Sequence, residues 1–94
     1  MYRSQFANKL GGLSKNVCAD LIMAAGLRAK DERLLLAWYV NEMTIHEIAQ
    51  DENMQIESAY NAIALARKRL LCILKTQTEF LPEGIRKVSE YLVK

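Results

Sequence analysis

The chain is poor in the residues that interrupt helices. Its 94 residues contain one proline and four glycines. No stretch alternates apolar and polar residues in the way that a half-buried β-strand would, and there are no repeats or low-complexity segments. The sequence therefore predicts an all-α fold, a small bundle of about five helices.

The chain also lacks long apolar runs. No stretch of about 18 apolar residues could span a bilayer, and the N-terminal MYRSQFANKL has no apolar core of a secretory signal. We therefore expect a cytoplasmic protein with no membrane partner. A content of 51% hydrophobic and 26% charged residues fits one domain, residues 1–94, with a single core.

Residues that carry catalysis or bind metals are scarce. The single histidine, His46, stands beside Glu47 without the spacing of other metal ligands, and no Gly-rich phosphate loop or nucleophile elbow is present. We interpret His46 as a solvated helix residue. Cys18 and Cys72 fall on the apolar sides of predicted helices and are expected to be buried free thiols. The sequence thus predicts no enzyme, no cofactor and no metal.

Capping residues and glycines divide the chain into helices. A short helix from Ser4 to Leu10 should end at Gly11-Gly12, and a second should begin after Ser14 and end at Gly26. Asp31 is expected to open a third helix. Its run from Leu34 to Val40 is apolar on all sides, so this helix should lie at the centre of the bundle. The predicted core spans 14–75, with flanking helices in 1–12 and 78–94, the latter starting at Pro82.

Residues 43–70 carry the most specific pattern. Thr44 and Glu47 have the spacing of a capping box, and the short helix that follows has one apolar face. Asn53 is suited to end that helix because asparagine tolerates positive φ. A second helix, Ile56 to Lys75, then continues without glycine or proline. Ala49, Ala59 and Ala62 would allow close packing of the two, as a helix-turn-helix requires.

This segment resembles the fourth conserved region of bacterial sigma factors, their DNA-binding end, and less closely the helix-turn-helix domains of response regulators. The resemblance covers about residues 31–75. It rests on Thr44, Ile45, Ile48, Ala49, Met54, Ile63, Ala66, Arg67, Lys68, Arg69 and Leu70. Three positions depart from the family pattern: Glu52 replaces a usual leucine, Asn53 a usual glycine, and Gln55 a usual serine or threonine cap.

A helix-turn-helix reads DNA with the first residues of its second helix in the major groove. Asn61 could pair with adenine, Glu57 with cytosine, and Ile56 with a thymine methyl group. The candidate DNA-binding residues are Thr44, Gln55, Ile56, Glu57, Ser58, Tyr60, Asn61, Arg67, Lys68 and Arg69. The last three would contact phosphates, with help from Lys75 and from Arg28, Lys30 and Arg33. Alternatively, this basic cluster complements the negative end of the helix dipole and keeps its face solvated.

The charge of the motif opposes simple DNA binding. Residues 42–66 contain five acidic residues and no lysine or arginine, and the chain has a net charge of only +2. Phosphate neutralisation usually supplies much of the affinity for DNA. We therefore expect a dimer or a partner such as RNA polymerase to add to the binding surface. Terminal apolar residues could form such a surface or could simply pack internally: Tyr2, Phe6, Leu10, Ile85, Val88, Tyr91 and Leu92.

Two further interpretations stay open. The motif could be a protein-interaction module, a sigma-like or anti-sigma-like adaptor that contacts its partner through Met54, Ile56 and Tyr60 without binding DNA. The chain could also be a small phage or mobile-element subunit for packaging or regulation, whose motif binds DNA only after assembly. The leading prediction is a helix-turn-helix transcriptional regulator that acts on double-stranded DNA.

Overall fold

Helices account for most of the chain in the computed structural model, which describes residues 5–93. In chain order they are α1 (Gln5–Gly11), α2 (Lys15–Ala24), α3 (Ala29–Tyr39), α4 (Ile45–Asp51), α5 (Ile56–Thr76) and α6 (Glu83–Val93), with a 3₁₀ turn at Thr78–Phe80. The described residues contain no strand, so the all-α prediction is confirmed. There are six α-helices in this part of the chain rather than about five; the predicted flanking segments 1–12 and 78–94 each contain one of them.

The ends of α2 follow the predicted signals. The Ser14 hydroxyl accepts a hydrogen bond from the Val17 amide at 3.3 Å, which satisfies one of the unpaired donors of the first turn. Gly26 adopts a φ of +73° just after the helix, a conformation that costs glycine little. Both boundaries of α2 are therefore confirmed.

The start of α3 corrects the prediction for Asp31. The helix begins at Ala29, with Arg28 in the capping position, and Asp31 lies inside the first turn. Asp31 is buried there, and its carboxylate binds Arg69 of α5 instead of capping α3. A tertiary partner therefore determines the role of this residue.

The apolar run of α3 lies at the centre of the fold, as predicted. Leu34 and Leu35 are almost completely buried, and residues 36–40 are half-buried. This helix contacts α2, α4 and α5. Burial from several sides is what a helix without a polar middle requires.

The two outer helices, α1 and α6, pack on the core and on each other. Phe6, Leu10 and Leu92 are buried, so these three serve internal packing. Buried Ser89 donates its hydroxyl to the Leu74 carbonyl at 3.3 Å and so connects α6 to α5. Tyr91 is exposed, whereas Ile85 and Val88 are half-buried against the core. The prediction for Tyr2 lies outside the described residues.

The two cysteines differ in exposure. Cys18 is buried in α2, as predicted, but Cys72 is exposed on α5. The prediction for Cys72 was wrong because Leu70 and Leu74 occupy the buried side of this part of α5, and Cys72 lies on a different side of the helix.

No helix within residues 5–93 has the length and apolar character needed to cross a membrane.

Candidate nucleic-acid interface

The first part of the candidate interface is α4, which begins with the predicted capping box. The Thr44 hydroxyl accepts from the Glu47 amide at 3.2 Å, and the Glu47 carboxylate accepts from the Thr44 amide at 2.9 Å. Hydrogen bonding from Thr44 to the Glu47 carboxylate, first from the backbone amide and then from the side chain, lowers the pKa of Glu47 below its ordinary value. The side chain of Thr44 is thus occupied in fixing the start of α4, although the residue is exposed.

Residues 52–55 connect α4 to α5 in a short turn. Asn53 has a φ of 55°, the left-handed conformation expected for it, and the Met54 amide donates to the Ala49 carbonyl at 2.8 Å. Gln55 takes the capping position of α5 in extended backbone but makes no side-chain capping bond. The turn closes without a glycine because asparagine tolerates this φ.

Small residues lie on α4 and α5, and the two helices are in contact. Ala49 and Ala59 are buried and Ala62 is half-buried, and Ile48 and Ile63 of the same helices are buried as well. The burial of the alanines agrees with the structural role predicted for them. Their packing holds the beginning of α5 against the capped helix α4.

The first half of α5 presents most of the predicted base-reading residues to solvent. Gln55, Glu57, Ser58 and Asn61 are exposed and have no side-chain hydrogen bond or ion pair within residues 5–93. Ile56 is 38% exposed and Tyr60 is 50% exposed. The Tyr60 ring packs edge-on against Trp38 of α3, with ring centroids 6.1 Å apart. One side of the Tyr60 ring therefore contacts the protein, and the other side is exposed to solvent.

The predicted phosphate-binding cluster is divided by the fold. Arg67 donates Nη1 to the Tyr39 hydroxyl at 3.1 Å, and Arg69 donates Nη1 to both carboxylate oxygens of Asp31 at 3.0 Å. Lys68, between them, is exposed and makes no ion pair within the described part of the chain. Burial raises the pKa of Tyr39, and the Arg67 guanidinium partly offsets this effect. Two of the three cations therefore hold α5 on α3.

The acidic segment 42–66 is partly neutralised by cations from elsewhere in the chain. Lys15 binds Glu42 at 3.0 Å. Arg33 binds Glu52 through two hydrogen bonds, at 2.8 and 3.0 Å, and these lower the pKa of the Glu52 carboxyl. Only Asp51 and Glu57 of the five acids have no hydrogen-bonding partner within residues 5–93. The electrostatic obstacle to phosphate is thus smaller than the sequence alone indicates.

The structure adds three residues that sequence reasoning did not assign to the site. Trp38, Tyr39 and Asp31 of α3 contact Tyr60, Arg67 and Arg69 of α5. The only signal in the sequence was that aromatic residues and one acid occurred in a helix predicted to be central. The crossing angle between α3 and α5 determines which side chain of α5 each of these three residues contacts. That angle cannot be predicted from local sequence patterns.

The remaining features of this face are an exposed histidine and a small groove. His46 is exposed, as predicted, and no group of three or more histidine, cysteine or acidic side chains within residues 5–93 is arranged to hold a metal ion. The groove between α3 and α4 measures about 180 Å³ and is lined by residues such as Leu34, Met43 and Ile48.

No protein-family model, curated protein or solved structure matches this chain.

Proposed function

We propose that α4 and α5 form a helix-turn-helix and that the chain is a DNA-binding transcriptional regulator of the cytoplasm. The observation that carries this proposal is the row of exposed, unpaired polar side chains at the start of a 21-residue helix. Such a helix is about 31 Å long, and its first two turns can enter a major groove while its remainder stays on the protein core.

The base contacts follow from the chemistry of the exposed side chains. Asn61 would donate to and accept from adenine, Glu57 would accept from the cytosine amino group, and Ile56 would meet a thymine methyl group. Gln55, Ser58 and Tyr60 lie beside them and complete the reading surface. Thr44 would contribute indirectly, by fixing α4.

The phosphate contacts fall to the lysines of α5 rather than to its arginines. Lys68 and Lys75 are exposed. They lie seven residues apart from each other, and Lys68 lies seven after Asn61, so the three share one face of the helix. Two lysines supply little affinity. Each neutralised phosphate contributes only about 0.9 to the salt slope, which is the slope of the logarithm of the binding constant against the logarithm of the salt concentration. A dimer or a partner protein would therefore be needed to hold a specific site.

Binding to random and genomic duplex DNA across a salt series tests the proposal, together with the mass of the free protein. We expect retention at low salt that falls as salt rises. Lys68→Gln should weaken binding to all duplexes, whereas Lys87→Gln, the same charge change on exposed α6, should not. Absence of retention on any duplex at the lowest salt would exclude the DNA-binding proposal.

A second candidate function is supported by the apolar exposure at the same place. Ile56 and Tyr60 are partly exposed, and the unpaired acids Asp51 and Glu57 stand on either side of Ile56 in sequence. This combination suits a protein partner, such as RNA polymerase or another regulator, contacted by a sigma-like or anti-sigma-like adaptor. Capture of polymerase by the wild-type chain but not by a Tyr60→Ala variant, without duplex binding, would favour this function.

A further inference from the structure

A groove of about 420 Å³ lies between the α2–α3 connection and the C-terminal half of α5. Leu27, Arg28 and Asp31 line one side, and Arg69, Cys72 and Ile73 line the other. Its volume falls in the range of about 300 to 1,000 Å³ that is typical of small-molecule sites. Cys72 lies eleven residues after Asn61 on α5, about 16 Å along the helix, so the groove is separate from the candidate base-reading surface.

Two guanidinium groups share one carboxylate in this groove. The side chain of Asp31 is 4% exposed and is bound by Arg69 at 3.0 Å and approached by Arg28 at 3.5 Å. The side chains of Arg69 and Arg28 are themselves 39% and 69% exposed. The groove therefore carries a net charge of +1 at its wall, which attracts an anion and repels a cation.

Both arginines keep unused donors. Arg69 reaches Asp31 through Nη1, and Arg28 approaches it through Nε. Nη2 of Arg69 and both Nη atoms of Arg28 have no hydrogen-bond acceptor within the described residues. Forked guanidinium donors of this kind suit the two oxygens of a carboxylate.

Apolar side chains flank these donors. Leu27 and Ile73 are half-buried hydrophobic residues that pack on the core and also face the groove. A ligand that filled the groove would place an apolar part on them and an anionic part on the arginines. Small-molecule sites commonly combine apolar walls with a few polar groups in this way.

We propose that this groove binds a small monocarboxylate with a short apolar chain. The carboxylate lies between the free guanidinium donors of Arg28 and Arg69, and the chain lies on Leu27 and Ile73. A single negative charge matches the net charge of the groove, whereas a dianion would leave excess charge beside the buried Asp31 carboxylate.

Cys72 provides a direct reporter of occupancy. It lines the groove and is exposed, whereas Cys18, the only other cysteine, is buried. Alkylation of the folded chain by the neutral reagent iodoacetamide therefore occurs at Cys72. Its rate, followed by intact mass, measures how open the groove is.

Hexanoate is the probe, with hexanol, acetate and inorganic phosphate as comparisons. We expect hexanoate to slow the alkylation several-fold and saturably, and each of the other three to slow it less. No effect of hexanoate would overturn the proposal. If hexanol protects Cys72 as well as hexanoate does, the two arginines do not bind the carboxylate. If acetate or phosphate protects it as well as hexanoate does, the apolar residues of the groove do not contribute to binding.

Two variants with the same charge change locate the binding. Arg28→Gln removes an exposed groove guanidinium while Arg69 keeps Asp31 paired, and Lys30→Gln removes an exposed cation that does not line the groove. The quantity compared is the ratio of rates with and without hexanoate for each variant, so that a change in basal thiol reactivity cancels. Loss of protection in Arg28→Gln but not in Lys30→Gln is expected. Equal protection in both would overturn the assignment to this groove.

Discussion

Arg69 donates from one nitrogen, Nη1, to both carboxylate oxygens of Asp31, each at 3.0 Å, and so joins the C-terminal half of α5 to the first turn of α3. Because Asp31 is almost completely buried, its carboxylate oxygens need a hydrogen-bonding partner, and Arg69 supplies it. Arg69 is therefore a structural residue before it is a candidate phosphate ligand.

Replacing Arg69 should destabilise the fold. Loss of a partner from a buried ion pair costs about 3 to 5 kcal/mol, and because Arg28 stays near Asp31 at 3.5 Å we expect about 2 kcal/mol for Arg69→Ala. Urea denaturation measures it. Lys68→Ala, on the exposed neighbour, should change the free energy of unfolding by less than about 0.5 kcal/mol. Equal effects of the two substitutions would contradict the structural role of the pair.

Asn53 should tolerate glycine and reject β-branched residues. Its φ of 55° costs an ordinary L-residue about 1 to 2 kcal/mol. Asn53→Gly should leave the urea midpoint nearly unchanged, and Asn53→Val should lower it. If both variants unfold at the wild-type midpoint, the turn does not depend on this conformation.

The capping box should make stability depend on acid. The pKa of Glu47 is lowered in the folded chain by its hydrogen bonds with Thr44, so the unfolded state takes up a proton first as the pH falls. The contribution of the Glu47 carboxylate to the free energy of unfolding is present above its ordinary pKa of 4.5. It is lost as the pH falls through the lower pKa of the folded chain. Thr44→Ala should raise the pKa of Glu47, as NMR titration would show, and lower stability by about 1 kcal/mol. Because the variant keeps the Thr44 backbone amide, which is the first cause of the lowered pKa, an unchanged free energy of unfolding is the result that would contradict the capping role of the hydroxyl.

The two thiols should react at very different rates. Burial raises the pKa of Cys18 from 9.0 to about 11, while Cys72 is exposed. One cysteine should be alkylated in the folded chain and the second only after denaturation, as mass spectrometry would show. Because the unfolded thiol ionises first, the contribution of Cys18 to stability is complete below pH 9.0 and is lost as the pH rises toward about 11. Rapid modification of both cysteines under native conditions would contradict the burial of Cys18.

The lysine assignment makes a prediction for DNA binding. Lys68→Ala should reduce the salt slope by about 1 and weaken binding to every sequence alike. Asn61→Ala should mainly reduce the preference among sequences. Equal losses on all duplexes from both variants would remove Asn61 from base reading.

Local patterns in the sequence were sufficient for much of the fold. Ser14, Gly26, Thr44 and Asn53 act on backbone groups within a few residues of themselves, and their effects were predictable because these interactions are short in sequence. The central position of α3 followed from its uninterrupted apolar run. These predictions did not require knowledge of how the helices cross.

The pairing of polar side chains across helices was not predictable in the same way. Arg67, Lys68 and Arg69 are consecutive, yet the helical turn of 100° per residue directs the first and third toward α3 and leaves the second in solvent. Asp31 was expected to open α3 and instead lies within its first turn, buried and bound by Arg69. Such contacts depend on the register between helices that are far apart in sequence.

The contact between the outer helices α1 and α6 links the local unfolding of one to the local unfolding of the other. Lys9 of α1 donates to the Tyr91 carbonyl of α6 at 3.2 Å and lies 5.3 Å from the centre of the Tyr91 ring. Since α1 rests partly on α6, fraying of α6 removes the support of α1. Amide hydrogens in the two helices should therefore exchange with solvent as one cooperative unit, distinct from the slower-exchanging amides of α3 and α5.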